Sequence, residues 1–237
     1  MFVKGVDNMI TKRNRTRLLM CCGAALLLLA AVAFCGMAHV GGGGSSAFSF
    51  FRSPRCQDDW RLALVNERYA VTKGYAPPLL TLSNGEQVDE RIYPDLQKMF
   101  DDARAEGLSP FVRAGFRSRE EQAAVMESKV DELLRQGWPE KAARKEARRA
   151  AAKPGHSEHE LGLAADINSL AAGDEQRLYG WLAENAWRYG FILRYPQNGE
   201  DVTGISYEPW HYRYVGLDAA REIHERGCTL EEYLGVA

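Results

Sequence analysis

The run from Leu18 to Val40 constrains this chain more than any other feature, because it carries no formal charge apart from His39 when protonated. Its 23 residues reach about 35 Å as a helix at about 1.5 Å per residue, enough for the hydrocarbon core of a bilayer. Lys4, Lys12, Arg13, Arg15 and Arg17 precede it, opposed only by Asp7. Such a cluster stays on the cytoplasmic side. Residues 1–17 are therefore expected to be a cytoplasmic basic segment and 18–40 a single-pass transmembrane anchor, with the remainder extracytoplasmic. The alternative is a cleaved signal segment, with Ala31-Val32-Ala33 as a processing site, but the run is long for a signal core. A lipoprotein reading at Cys35 fits less well, since Phe34 is bulky where a small residue belongs. Residues 41–55, which open on the Gly- and Ser-rich stretch Gly41–Ser46, read as a flexible tether.

The folded domain is expected over 56–237. A chain of 237 residues, 46% hydrophobic and 26% charged, suits one packed domain plus an appendage and excludes a disordered chain. The net charge of −2 gives no support for nucleic-acid binding. Of 30 basic and 32 acidic residues, five and one precede Leu18, which leaves 25 against 31, a balance of −6. Three of the five cysteines, Cys21, Cys22 and Cys35, lie in the apolar run. Cys56 and Cys228 lie in the exported part, as a disulfide or as two free thiols.

The domain shows no internal repeat. Leu62–Asn66 is expected as a short strand, and Tyr75–Gly85, with Pro77, Pro78 and Asn84-Gly85, as loop and turn. Ile92–Glu106 places Ile92, Leu96, Met99, Phe100 and Ala103 on one helical face, closed by Gly107. Phe111–Phe116 reads as a strand. Ser118 and Glu121 have capping-box spacing, opening a helix to Arg135. Gly137-Trp138-Pro139 interrupts it before a second helix to Ala152, and Lys153-Pro154-Gly155 ends the helical region. Leu163–Ile167 reads as a buried strand, and Asp174–Tyr189 as a helix stopped by Gly190. Phe191–Tyr195 and His211–Val215 read as strands, Leu217–Arg226 as a helix, and Thr229 as the cap of a last short one. Short strands alternating irregularly with helices predict an α+β fold, a small antiparallel central sheet flanked by helices, rather than a doubly wound sheet.

Two segments combine histidine with carboxylates: Ser157-Glu158-His159-Glu160-Leu161-Gly162-Leu163-Ala164-Ala165-Asp166 and Glu208-Pro209-Trp210-His211. Two imidazoles and one carboxylate are a common catalytic zinc set that leaves a fourth position for water. Such chemistry also needs a carboxylate as general base, and Glu208, three residues before His211, is placed to serve. Positions i and i+3 of a strand face opposite ways, so this segment must bend, which Pro209 makes plausible. His159 and Asp166 are seven apart, and Gly162 permits a loop returning into a strand. Spacing alone leaves open a structural histidine beside a structural aspartate.

Four segments in order remove that ambiguity. They are Ser-x-His-x-x-Gly-x-Ala-x-Asp at 157–166, Glu-x-x-His at 208–211, Gly115-Phe116-Arg117-Ser118, and the stretch Tyr189–Pro196. From Arg61 to Leu234 the chain resembles the VanY-type D-alanyl-D-alanine carboxypeptidases, zinc peptidases that also include D-Ala-D-Ala dipeptidases and L,D-carboxypeptidases. The resemblance implies one Zn2+ per chain in a cleft, held by His159, Asp166 and His211. It implies Glu208 as catalytic base and Arg117 as the cation facing the developing oxyanion. It places Gln122, Ser157 and Trp210 at the substrate. For these, the bland readings are an exposed helix residue, a turn hydroxyl and a core tryptophan.

His156 departs from the family pattern, as a substrate contact or a loop residue, and His224 reads as a surface residue. Lys141, Arg144, Lys145, Arg148 and Arg149 read as a solvated face, with anionic wall polymer as the sharper alternative. The implied activity is removal of the terminal D-Ala from peptidoglycan stem pentapeptides, with serine-type chemistry excluded. The alternatives are an L,D-carboxypeptidase acting on tetrapeptides and a non-catalytic zinc module that binds the wall. A dipeptidase fits an anchored protein poorly, because free D-Ala-D-Ala is cytoplasmic. A transmembrane sensor has little room in 17 cytoplasmic residues.

Overall fold

The computed structural model describes residues 59–237. The expected anchor at 18–40, the tether and Cys56 lie outside the described residues. No described helix is long and apolar enough to cross a membrane.

A hairpin comes first, β1 (Leu79–Thr81) and β2 (Gln87–Asp89), followed by α1 (Tyr93–Ala105) and β3 (Pro110–Ala114). Two helices, α2 (Arg119–Arg135) and α3 (Glu140–Ala150), form an antiparallel arm. Then come β4 (Ala164–Ser169), α4 (Glu175–Asn185), β5 (Phe191–Leu193), α5 (Glu200–Thr203) and β6 (His211–Tyr214). The chain ends in α6 (Leu217–Arg226) and α7 (Leu230–Leu234). The main sheet has the order β3-β4-β6-β5, with every pair antiparallel.

Strand periodicity divides the two faces of this sheet. Ala165 and Ile167 of β4, with Tyr212 and Tyr214 of β6, join the core under α1 and α4. There Leu96, Met99, Phe100 and Ala103 of α1 are buried as the helical spacing requires, each large side chain contributing about 1.5–3 kcal/mol. Asp166, between Ala165 and Ile167, and His211, one residue before Tyr212, therefore leave the opposite face. The hydroxyl of Ser118 accepts from the Glu121 N–H (3.2 Å), and the Glu121 carboxylate accepts from the Ser118 N–H (2.7 Å). This capping box, whose Ser118 lies three residues after Gly115, starts α2, so the chain turns from sheet to arm at the position of Arg117.

Three expectations need correction. Leu62–Asn66 is not a strand: a 3-10 turn at Trp60–Leu62 leads into irregular chain. The Arg213 guanidinium takes the Arg61 and Ala63 carbonyls at 2.9 and 2.8 Å, so a side chain fills the place of a neighbouring strand. Tyr75–Gly85 is not wholly loop, because Leu79–Thr81 pairs with Gln87–Asp89 around the Asn84-Gly85 turn. The helix from Asp174 to Tyr189 changes to 3-10 geometry at Ala186 before Gly190 stops it in a left-handed conformation.

Candidate metal centre

The register of the sheet sets Asp166 of β4 opposite His211 of β6, so their side chains leave one face as neighbours. His159 arrives from a 3-10 turn, Glu158–Leu161, just before β4. Ser157 caps that turn, its hydroxyl oxygen accepting from the His159 N–H at 3.3 Å. Gly162 then swings the chain into the strand at φ +71°, where a Cβ would also crowd the Asp89 backbone nitrogen at 3.1 Å. The bend expected at Glu208–His211 is a turn in which the His211 N–H donates to the Glu208 carbonyl at 3.1 Å. It brings Glu208 Oε2 to 3.6 Å from His211 Nδ1.

His159, Asp166 and His211 each offer one ligand atom, all within 4.8 Å of one another. Asp166 Oδ1 lies 3.0 Å from His211 Nδ1 and 3.5 Å from His159 Nε2. His159 donates its Nδ1 proton to the Gly115 carbonyl at 2.6 Å, which leaves the Nε2 lone pair pointing inward. Both His159 Nε2 and Asp166 Oδ1 are buried without a hydrogen-bond partner. Buried polar atoms left unpaired are costly. Two nitrogen donors and a carboxylate converging on one point are the donor set that a divalent transition metal satisfies.

The electrostatics of these protein groups follow from burial and close charges. Burial opposes ionising Asp166, but His159 and His211 hold it well below the usual carboxylate range. Burial lowers His159. Burial also works against protonating His211, yet the Asp166 and Glu158 carboxylates overcome it and push the imidazole up to about 9. Burial drives Glu208 up to about 7, Asp166 adding to the effect while His211 and Arg117 oppose it.

These groups line a cleft of about 680 Å³ together with Arg117, Gln122, Ser157 and Trp210. Arg117 reaches Asp166 Oδ2 at 3.1 Å and Gln122 Oε1 at 2.8 Å. Gln122 is buried rather than exposed on its helix, and its Nε2 donates to the Ala152 carbonyl at 2.7 Å. One bond at each end thus ties Gln122 to Arg117 and to the end of the arm, while the side chain also lines the cleft. Ser157 is a turn hydroxyl, as the bland reading has it, and it also lines the cleft. Trp210 is 36% exposed on the rim and is not a core residue.

The other two described histidines have structural partners. His156 bonds the Asn66 carbonyl through Nδ1 at 2.7 Å and does not line this cleft, as a loop residue would. His224 stacks on Trp187 with ring centroids 4.8 Å apart. The basic residues of α3 are exposed, with Arg144 paired to Glu127 and Glu140. Sequence reasoning missed Glu158, Arg194, Arg213 and Glu231, a buried ionic cluster behind His211. A charged Arg194 inside the apolar stretch Phe191–Tyr195 was the available signal.

The sequence pattern of the VanY family, described as D-alanyl-D-alanine carboxypeptidase, matches residues 85–217. The chain belongs to this family. The VanY match takes in Arg117, His159, Asp166, Glu208 and His211, and stops short of most of α6 and all of α7. A D-alanyl-D-alanine carboxypeptidase of Enterococcus faecalis is 48% identical over 181 residues, 75% of this chain and 67% of that protein. The structure of VanYB in complex with D-alanine-D-alanine is similar, with a TM-score of 0.73 at 47% identity, over 75% of this chain and 98% of that one. A mutant of the VanY D,D-pentapeptidase from a VanB-type resistance cassette, in complex with Zn(II), is similar to the same TM-score, 0.73, at 47% identity. That match covers 74% of this chain and 99% of the other.

Proposed function

We infer that this chain is a zinc-dependent D-alanyl-D-alanine carboxypeptidase that removes the terminal D-Ala from peptidoglycan stem pentapeptides. The observation that carries the reading is one partly buried carboxylate and two buried imidazoles converging in an open cleft, with a second carboxylate, Glu208, beside them. Membership of the VanY family and the zinc and D-Ala-D-Ala complexes of its relatives support the metal and the substrate.

In this reading His159 through Nε2, Asp166 through its carboxylate and His211 through Nδ1 hold the zinc. Zinc bound there supplies Lewis acidity, polarising an amide carbonyl and acidifying water. Glu208 takes the proton of the attacking water on its carboxylate and returns it to the departing amine of D-Ala. Arg117, held in place by Gln122 and Asp166, presents its guanidinium where negative charge develops on the carbonyl oxygen. Trp210 on the rim and Ser157 at the base of the cleft position the peptide. Residues 18–40 anchor the protein in the membrane, with the domain on the extracytoplasmic side beside its substrate. The charge asymmetry around that run is the support for this placement.

The test is mass spectrometry of products after incubating the detergent-solubilised protein with defined stem pentapeptide and tetrapeptide. Loss of one D-Ala from the pentapeptide, with the tetrapeptide left intact, is expected. Cleavage of the tetrapeptide alone would transfer the assignment to the L,D-carboxypeptidase reading.

A further inference from the structure

A charge cluster lies directly behind the metal centre. Glu158 opens the turn that carries His159 and is 1% exposed. Its Oε1 accepts from Arg194 Nε at 2.8 Å and from Arg213 Nη1 at 2.7 Å. The fork of Arg194 then donates to both oxygens of Glu231 on α7, at 2.9 and 2.6 Å, and Asn66 Nδ2 donates to Glu231 Oε1 at 3.0 Å. Two carboxylates balance two guanidiniums, all four side chains being at most 2% exposed. One acceptor is left over. Glu158 Oε2 is buried without a hydrogen-bond partner, and so is His211 Nε2. These two atoms face each other at 3.8 Å.

An imidazole that binds metal through one nitrogen carries its proton on the other, and the acceptor of that proton fixes the tautomer and the ring. The His211 nitrogen facing Asp166 and Glu208 is Nδ1, so Nε2 must hold the proton. Two arginines lock Glu158 Oε1, which leaves Oε2 aimed at that proton. A movement of about 0.8 Å brings the pair to hydrogen-bonding distance.

We propose that Glu158 is a positioning residue that fixes His211 in the Nε2–H tautomer, and that Arg194 and Glu231 hold Glu158 in place, so that the C-terminal helix is built into the metal site. The proposal rests on the reading of His159, Asp166 and His211 as the ligands. It gives a role to Arg194 in the Tyr189–Pro196 stretch, which the catalytic assignment leaves unused. Glu231 lies beyond the VanY match at residue 217.

The experiment measures zinc affinity by competition with a chromophoric chelator on the full chain. An amide in place of the carboxylate turns a donor toward His211 Nε2 or toward the arginines, and neither arrangement suits. Glu158→Gln is expected to weaken zinc binding about 10- to 100-fold, with KM for pentapeptide unchanged at saturating zinc. Glu231→Gln is expected to weaken it by a smaller factor in the same direction.

The control is Glu160→Gln in the same turn, a buried carboxylate that accepts from the Gly155 N–H at 2.7 Å and touches no ligand. It should leave zinc affinity within about twofold, as expected when no outer-shell partner of a ligand is altered. A folded Glu158→Gln with the parent's affinity overturns the proposal, and so does an equal loss in Glu160→Gln. Should Glu158→Gln fail to fold, nitrogen-15 spectra of histidine in the parent zinc protein decide. An Nε2 proton on His211 that resonates far downfield, as one held by a carboxylate does, supports the proposal, and an Nε2 proton without that shift, or a proton on Nδ1, overturns it. A parent chain that binds no zinc sinks the ligand assignment instead.

Discussion

Glu208 should burden the fold of the metal-free protein while serving the reaction. Its carboxyl is pushed from an ordinary 4.5 up to about 7, chiefly by burial, and its side chain is only 14% exposed. Each pKa unit of difference between folded and unfolded chains is about 1.4 kcal/mol, so an ionised Glu208 costs the metal-free fold about 3 kcal/mol. Below pH 4.5 the group is protonated in both states and costs nothing. As the pH rises to about 7 the unfolded chain ionises first and stability is lost, and above about 7 the full cost stands. Glu208→Gln places a neutral amide of the same shape there. The chelator-treated variant should therefore melt above the parent at pH 8, by roughly 6–12 °C at about 2–4 °C per kcal/mol, and should match it near pH 4.5. Hydrolysis by the zinc-loaded variant should fall about 10²- to 10⁴-fold. Scanning calorimetry of both proteins at the two pH values is the assay. A melting difference that is absent at pH 8, or equal at both pH values, would refute the reasoning.

Three further outcomes follow from the same geometry. Arg117→Lys keeps the charge but loses the fork that spans Asp166 and Gln122, so kcat should drop about 10²- to 10³-fold with zinc content unchanged, by steady-state kinetics and metal analysis. Gly115→Ala drives a Cβ into the Gln87 carbonyl oxygen, beside the Gly115 carbonyl that orients His159. It should cost about 1–3 kcal/mol in urea unfolding and weaken zinc binding as well. Because His211 is held near 9 in the metal-free protein, zinc must displace its proton. Calorimetry at pH 7 in buffers of different ionisation enthalpy should report about one proton released per zinc.

The helices were legible where the sequence carries local signals. The capping box at Ser118 and Glu121 and the apolar stripe of α1 are read within one or two helical turns, and both hold. The candidate trio His159, Asp166 and His211 could be picked out because its members sit in two short segments, although the register that makes Asp166 and His211 neighbours belongs to the folded sheet. Long-range polar contacts were not legible. The irregular path of Ala63 depends on Arg213, 150 residues away. The role of Gln122 depends on the Ala152 carbonyl, 30 residues on, and Glu158 finds Arg194 36 residues on. No local spacing encodes such partners; only the sense that a charged residue among apolar neighbours needs one.

The central claim is that His159, Asp166, His211 and Glu208 form a working zinc carboxypeptidase site. It is tested most directly by release of D-alanine from a UDP-linked pentapeptide before chelation, after chelation and after zinc is restored. One D-Ala per peptide, lost with chelator and regained with about one zinc per chain, is the expected result. Release that persists in fully zinc-free protein, or no release from a chain holding one zinc at these residues, would contradict the account.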